Sequence, residues 1–170
     1  MSEIFCLDAN SFIEPYRRFY AFDIAPDFWN WLISKAYEGK VCSTMAVYIE
    51  LKQKEDKLYE WASAHKNILF KEPDQRVYRV YESIANYVKR RYTIKHYEKF
   101  LSGADPWVIA HSKAYNWVVV TMEARRGEQI DRTSGKIVSE IKIPNVCEAF
   151  GVKYVNLFDM LRSLKLQFRI

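Results

Sequence analysis

Short apolar runs separated by helical patterns restrict the fold of this sequence more than any other feature. The runs IFCL (4–7), KVCST (40–44) and WVVVT (117–121) are short and almost wholly apolar, which favours buried strands over surface helices. Between the first two lies a helical pattern that begins near Pro26 and stops at Gly39. Strands alternating with helices predict a mostly parallel sheet covered on both faces. We therefore expect an α/β fold, a three-layer α/β/α sandwich with a central, mostly parallel sheet of four or five strands.

The other segments fit the same alternation. Thr44 caps a helical segment, and Asp74 opens a long amphipathic helix over DQRVYRVYESIANYVKRRY. NILFKE (67–72) is a candidate third strand, and the chain closes as a short helix, a strand and a helix. The polar, glycine-punctuated stretch 125–140 reads as an exposed loop or a small hairpin.

Composition places the chain in a broad class. Its 170 residues are 49% hydrophobic, enough for one domain spanning 1–170. No run approaches the roughly 18 apolar residues of a membrane span, and the N-terminus lacks the pattern of a secretory signal. We therefore expect a soluble cytoplasmic protein with no membrane partner. Neither a nucleotide-binding GxxxxGK[ST] loop nor a GxGxxG turn is present.

Cysteines and histidines give no sign of a disulfide framework or a zinc site. The three cysteines, Cys6, Cys42 and Cys147, are far apart and lie in apolar stretches of the sequence, which predicts buried free thiols. His65 and the other two histidines, at 96 and 111, have no metal-site spacing and are expected on helix surfaces or half-buried.

The net charge of +5 is modest, so the distribution of basic residues matters more than their total. They cluster at 17–18, 89–91, 95–99 and 125–126, next to several aromatic residues. Basic and aromatic side chains together suit phosphates and unstacked bases. The same pattern also arises when the aromatics belong to the core and the polar faces of the helices are basic.

Four acidic residues stand where a parallel sheet would gather them. Asp8 ends the first strand, Glu123 follows WVVVT, and Asp105 opens a helix before Pro106, so these three meet at the carboxyl edge of the sheet. Glu50 lies about 9 Å along the helix that follows Thr44, and would face inward from its second turn. Each has a structural alternative: Asp105 as a helix cap, Asp8 as a loop cap, Glu50 as a surface residue and Glu123 as a first-turn acid.

Four carboxylates at one edge repel one another unless a cation neutralises them. Mg²⁺ or Mn²⁺ prefers oxygen ligands, activates a bound water and stabilises charge on a phosphoryl oxygen. The acids therefore predict a metal site of the kind that metal-dependent phosphodiesterases use.

The ordered set of motifs resembles the PIN-domain nucleases, which include the VapC-type toxins. The matching stretches are FCLDANSFI, YIEL, ADPWVIAHSKAYNWVVVTME and VKYVNLFDML, and they span nearly the whole chain. The resemblance implies catalytic and metal-binding roles for four acids: Asp8, Glu50, Asp105 and Glu123. Glu123 departs from the family pattern, in which Asp is more usual, and its longer side chain could replace direct coordination with a water-mediated contact.

The resemblance also implies the surroundings of the site and the reaction. Polar supports and substrate contacts would come from Asn10, Ser11, Thr121, Arg125 and Arg126. Asn145 is a further polar candidate near the metal, or simply a residue at the start of a helix. The implied reaction is Mg²⁺- or Mn²⁺-dependent endonucleolytic hydrolysis of RNA, leaving a 5′-phosphate.

Partners follow from the same resemblance. Many such nucleases are toxins held in check by an antitoxin protein, so RNA and an antitoxin are the expected partners. The aromatic segment RRFYAFDIAPDFWNW would form that partner's groove or a homodimer surface, or else an ordinary core. The alternative from another functional class is a non-catalytic PIN-like module that binds RNA or serves assembly.

Overall fold

The fold is built on five parallel strands, seen in a computed structural model that describes residues 2–169. Their order across the sheet is β3-β2-β1-β4-β5. The strands are β1 (Phe5–Leu7), β2 (Val41–Thr44), β3 (Phe70–Lys71), β4 (Val118–Val120) and β5 (Tyr154–Val155). This confirms the predicted α/β class and parallel sheet. The expected domain span of 1–170 includes two terminal residues that lie outside the described ones.

Helices fill the connections between the strands. They are α1 (Asn10–Glu14), α2 (Pro26–Tyr37), α3 (Met45–Lys52), α4 (Lys57–Ala64), α5 (Lys66–Leu69), α6 (Gln75–Arg91), α7 (Ile94–Ser102), α8 (Asp105–Tyr115), α9 (Ile143–Phe150) and α10 (Leu157–Ser163). A π-helical turn, Pro15–Phe19, continues α1. Thr44 and Asp74 cap α3 and α6 by accepting hydrogen bonds from Val47 N and Val77 N, as their sequence positions predict.

The handedness of the connections explains the three layers. From β1 to β2 the chain moves one way across the sheet through α2, and from β3 to β4 it moves back through α8. Because crossovers between parallel strands are right-handed, the two helices cover opposite faces. The core includes the large side chains of Phe12, Phe28 and Trp29. Within residues 2–169 no helix combines the length and the apolar character needed to cross a membrane.

Two predicted segments are refined by the structure. The candidate strand 67–72 is a strand only at Phe70–Lys71, because a helical turn, α5, occupies the residues before it. The stretch 125–140 contains a small hairpin in which Ile130 pairs with Ile137. Ile137 also pairs with Tyr92, so the hairpin is tied to the junction between α6 and α7.

Cysteines and the aromatic N-terminal segment mostly serve the core. All three cysteines are free and buried, as predicted. In the segment RRFYAFDIAPDFWNW, Phe28 and Trp29 are buried, Phe22 packs against Trp29, and only Phe19 and Ile24 among its large apolar side chains are exposed. Most aromatic side chains of this segment therefore belong to the core or pack against it.

Candidate active site

Asp8 occupies the carboxyl end of β1 and is 2% exposed. Its Oδ1 atom accepts a hydrogen bond from Ser11 N at 2.8 Å and lies 2.6 Å from Ser11 Oγ. Its Oδ2 atom accepts a hydrogen bond from Thr121 Oγ1 at 2.7 Å. Ser11 Oγ also lies 3.0 Å from the carbonyl oxygen of Val120, so it links the ends of β1 and β4. Asp8 therefore caps the start of α1 and joins two neighbouring strands.

Asp105 lies at the start of α8, but it does not cap that helix. The N-cap position belongs to Ala104, and no side chain of that residue or of Asp105 makes the capping bond. Glu50 Oε1 instead accepts a hydrogen bond from Ala104 N at 2.7 Å. The capping role considered for Asp105 is wrong, because Asp105 is already the first residue of α8 and Ala104 holds the N-cap position.

Glu123 follows β4 and is held by backbone groups. Its own N–H donates to Thr121 Oγ1 at 3.1 Å, and its Oε2 atom accepts from Ile143 N at 2.8 Å, at the start of α9. Its Oε1 atom lies 4.0 Å from Lys142 Nζ, which is also 3.2 Å from Glu140 Oε2. Glu123 thus spans the gap between β4 and α9, with a lysine beside it.

The two aspartates carry raised pKa values because they are buried near other acids. Burial raises the pKa of Asp8 from 3.8 to about 6, and the hydrogen bonds from Ser11 and Thr121 offset part of that rise. Burial raises the pKa of Asp105 from 3.8 to about 8, assisted by the negative charges of Glu123, Asp8 and Glu50. The four acids are therefore close enough to act on one another electrostatically. We call Asp8, Glu50, Asp105 and Glu123 the acidic cluster.

A small cavity of about 70 Å³ adjoins the acidic cluster. Asp105 and Glu123 line it together with basic and aromatic side chains of α7, His96, Lys99 and Phe100. Within residues 2–169, no three His, Cys, Asp or Glu side chains form a ready-made metal-binding group. The cluster gathers negative charge but does not hold its oxygens in finished coordination geometry.

The other predicted site residues have varied surroundings. Asn10 is exposed, and Arg125 forms an ion pair with Glu148 at 2.7 Å. Asn145 receives a hydrogen bond from Arg126 N at 3.0 Å and donates one to Arg126 O at 2.7 Å. Asn145 therefore fixes the backbone of the segment that leaves the acidic cluster.

Comparison with known proteins identifies the family. The family model described as "Domain of unknown function (DUF4411)" matches residues 5–168. The chain belongs to the DUF4411 family. None of the curated protein sequences gives a significant match.

Solved structures with the same fold are distant in sequence. A crystal structure of FitAcB from Neisseria gonorrhoeae matches with a TM-score of 0.50 and 15% identity, covering 91% of this chain and 99% of that one. A crystal structure of VapBC2 from Rickettsia felis, bound to a DNA fragment from their promoter, matches with a TM-score of 0.50 and 13% identity, covering 90% and 98%. These likenesses support the PIN-like fold that the motifs of this DUF4411 chain predict.

Two residues of the predicted basic clusters of this DUF4411 protein pair with acids from the segment after β4. Arg91 lies 3.0 Å from Glu128, and Lys99 lies 3.1 Å from Glu140. These pairs are exposed and each contributes little to stability. The 89–91 and 95–99 clusters therefore form mixed surfaces with acids, and His96 and Lys99 of the second cluster line the cavity.

Sequence reasoning missed two features of this DUF4411 site. Lys142 was not singled out, although a lysine just before the Ile143-Pro144 helix start is the signal that could have found it. His111 was expected at a surface or half-buried position, and this is wrong, because it is 2% exposed. Apolar residues at helical spacing on both sides of it, Val108 and Ala114, were the available signal.

Proposed function

We propose that this protein is a metal-dependent endoribonuclease that hydrolyses RNA phosphodiester bonds. The observation that supports this proposal best is the raised pKa of Asp105, caused by burial and by the charges of Glu123, Asp8 and Glu50. A fold seldom gathers like charges in a half-buried place without use for them, and perturbed pKa values concentrate at functional sites. The resemblance to PIN-domain nucleases, in which Asp8, Glu50 and Asp105 match the acidic motif and Glu123 stands where Asp is more usual, points the same way.

The donor set suits a hard divalent cation such as Mg²⁺ or Mn²⁺. It consists of carboxylates alone, the ligands that these ions prefer. Glu50 and Glu123 are each held to a backbone N–H through one oxygen, Oε1 and Oε2 respectively. Their long side chains can adjust, which a metal site needs here because no finished ligand group is present among residues 2–169. Asp8, Glu50 and Asp105 would hold the ion, with Glu123 as a direct or water-mediated ligand.

The residues of the chain have distinct tasks in this proposal. Ser11 and Thr121 hold Asp8 ionised and fixed in place, since both donate to its oxygens. Lys142 and Lys99, beside Glu123 and Asp105, supply positive charge for a phosphodiester. A bound divalent cation supplies a water of lowered pKa and charge stabilisation at the phosphoryl oxygen. The resemblance to PIN-domain nucleases implies a 5′-phosphate product.

We also propose that the protein is the toxin of a toxin–antitoxin pair. The support is the motif resemblance to VapC-type toxins together with fold likeness to FitAcB and to VapBC2. In this proposal an antitoxin protein covers the acidic cluster, and a homodimer is a further assembly to test. Growth arrest on expression that Asp8→Asn relieves would support the toxin role.

The rival function is a non-catalytic PIN-like module that binds RNA. The absence of a ready-made metal group among residues 2–169 favours it. The two functions differ in their response to metal, since a binding module needs no divalent ion to hold RNA.

Cleavage of single-stranded RNA by the purified full-length chain tests the nuclease proposal. We expect cleavage with Mn²⁺ or Mg²⁺, none with a chelator, and a loss of more than about a hundredfold in Asp8→Asn. Asp27→Asn is the matched control, because Asp27 is an exposed acid in the first turn of another helix, α2. Equal cleavage by wild type and Asp8→Asn would overturn the proposal, and RNA binding that a chelator leaves unchanged, without cleavage, would favour the module.

A further inference from the structure

A second pocket lies on the same edge of the sheet as the acidic cluster. It is about 220 Å³ in volume and mostly apolar. Thr44, the last residue of β2, and Pro73, two residues after β3, line it, while α3, α6 and α8 contribute Ile49, Tyr78, Trp107 and His111. We call this the His111 pocket.

His111 is the unusual member of the pocket. It is 2% exposed, and in the described part of the chain neither ring nitrogen has a hydrogen-bond partner. Buried polar atoms normally find partners, and leaving one without a partner costs about 1–3 kcal/mol. Burial lowers the pKa of His111 from 6.5 to about 4, so the ring is neutral at pH 7. A neutral imidazole offers one donor and one acceptor.

Aromatic side chains shape the rest of the pocket. Trp107 stacks on Tyr81 with ring centroids 4.0 Å apart, and Tyr78 meets Trp107 edge to face at 5.5 Å. Tyr78 is nevertheless 53% exposed. An exposed tyrosine braced by a second ring is the kind of platform on which unstacked bases stack.

The position of the pocket relates it to the acidic cluster. Asp8 ends β1, whereas the His111 pocket opens beside the ends of β2 and β3. Two strand spacings separate β1 from β3, about 10 Å. Ile49 and Trp107 of the pocket also stand one and two residues from Glu50 and Asp105 along the chain. A single strand with a phosphate at the cluster would therefore carry a neighbouring base past the pocket.

We infer that the His111 pocket takes a flanking nucleobase of the RNA strand, which stacks on Tyr78 and hydrogen-bonds to His111. This inference rests on the proposed RNA substrate. The volume suits a single planar ring system, since pockets for drug-sized ligands begin at about 300 Å³. Met45, an unbranched side chain that lines the same pocket, can move to admit the ring.

Other occupants fit the chemistry less well. Glu72 also lines the pocket, and its charge would repel a phosphate. An apolar side chain of a protein partner would leave both nitrogens of His111 without hydrogen bonds. A base edge carries donors and acceptors side by side, so it can pair with one ring nitrogen of His111 in either tautomer while its ring fills the apolar space.

RNA binding by the Asp8→Asn protein in a chelator tests this inference separately from cleavage. The probes are a single-stranded RNA of roughly ten nucleotides and the same strand with an abasic ribonucleotide at each position in turn. We expect one abasic position to weaken binding by about five- to a hundredfold. The loss should disappear in His111→Phe and Tyr78→Ala, because the pocket no longer holds the base.

Two controls make the result decisive. Tyr37→Ala should keep the full abasic effect, since Tyr37 is 71% exposed but ends α2 at the opposite edge of the sheet. His111→Phe should raise the free energy of unfolding, which shows that the variant folds. An abasic effect that persists in His111→Phe, or RNA binding that none of the abasic positions alters, would overturn the inference. Cleavage by the wild-type protein would still be measured independently in either case.

Discussion

Asp8 and Asp105 lie in the same acidic cluster, but their surroundings raise their pKa values by different amounts. Asp8 is almost fully buried, yet burial raises its pKa only to about 6. Asp105 keeps more exposure, yet burial and its acidic neighbours raise its pKa to about 8. The more exposed aspartate therefore has the higher pKa, which is the reverse of what burial alone would give.

Hydrogen bonds explain the difference. Asp8 accepts from Ser11 and Thr121, and these bonds lower its pKa. The rise for Asp105 comes from burial and from the charges of Glu123, Asp8 and Glu50, with only Lys142 acting against it. One carboxylate is held ready in its ionised form, while the other is ionised at a cost that a cation would remove.

The largest expected effect is on the pH dependence of stability through Asp105. A carboxyl whose pKa is raised on folding stabilises the fold below its ordinary pKa, and this contribution is lost as the pH rises from about 4 through 8. We expect Asp105→Asn to raise the metal-free free energy of unfolding at pH 8 by several kcal/mol, up to about 5. Urea unfolding in a chelator at pH 5 and pH 8 measures it.

Asp27→Asn is the control for that change, as an exposed first-turn acid of α2. It should leave the pH profile as it is in the wild type. If Asp105→Asn and Asp27→Asn give the same pH dependence of the unfolding free energy, Asp105 does not have the higher pKa that sets it apart from Asp8.

A smaller effect on stability should come from removing one of the hydrogen bonds that distinguish Asp8 from Asp105. Thr121→Val removes the hydroxyl that donates to Asp8 Oδ2 and accepts from Glu123 N. We expect a loss of about 1–3 kcal/mol in unfolding free energy at pH 8 and a smaller loss at pH 4, where Asp8 is protonated in both proteins. Urea unfolding at the two pH values tests it, with the exposed Thr133→Val as control. An equal loss at both pH values would show that the hydroxyl does not act through the charge of Asp8.

The smallest effect is expected from Lys142. Lys142→Met keeps most of the side-chain volume but removes the charge that lowers the pKa of Asp105. We expect that pKa to rise further, by well under the change that burial causes, because Lys142 is partly exposed and also paired with Glu140. An NMR titration of the Asp105 carboxyl carbon measures it. Lys113→Met, on α8 with Asp105, should leave the pKa of Asp105 unchanged. A lower pKa of Asp105 in Lys142→Met would contradict this explanation.

Periodicity and run length were enough to predict the architecture. WVVVT and IFCL are short and apolar, which favoured buried strands, and Asp74 and Thr44 act locally as caps. The third strand was harder to predict, because β3 has two residues and gains its place from pairing with β2 rather than from its own pattern. Tertiary pairing of that kind leaves almost no local signal.

The acids of the site could be predicted from their order, but their individual tasks could not. Sequence position made Asp105 a good helix cap, whereas Glu50 caps that helix end from 54 residues away. Lys142 and the burial of His111 also depend on contacts between distant segments. Such contacts follow from packing, which spacing in one sequence does not reveal.

The proton balance of Mn²⁺ binding tests the acidic cluster most directly. Isothermal titration calorimetry of the metal-free protein at pH 7, in buffers of different ionisation enthalpy, measures how many protons are released on binding. Asp105 has a pKa of about 8 and must ionise to act as a ligand. We therefore predict that the wild-type protein releases about one proton per bound ion and that the Asp105→Asn protein releases no proton when it binds Mn²⁺. Failure of Mn²⁺ to bind, or equal binding without proton release in both proteins, would contradict the account of these four acids as a metal site.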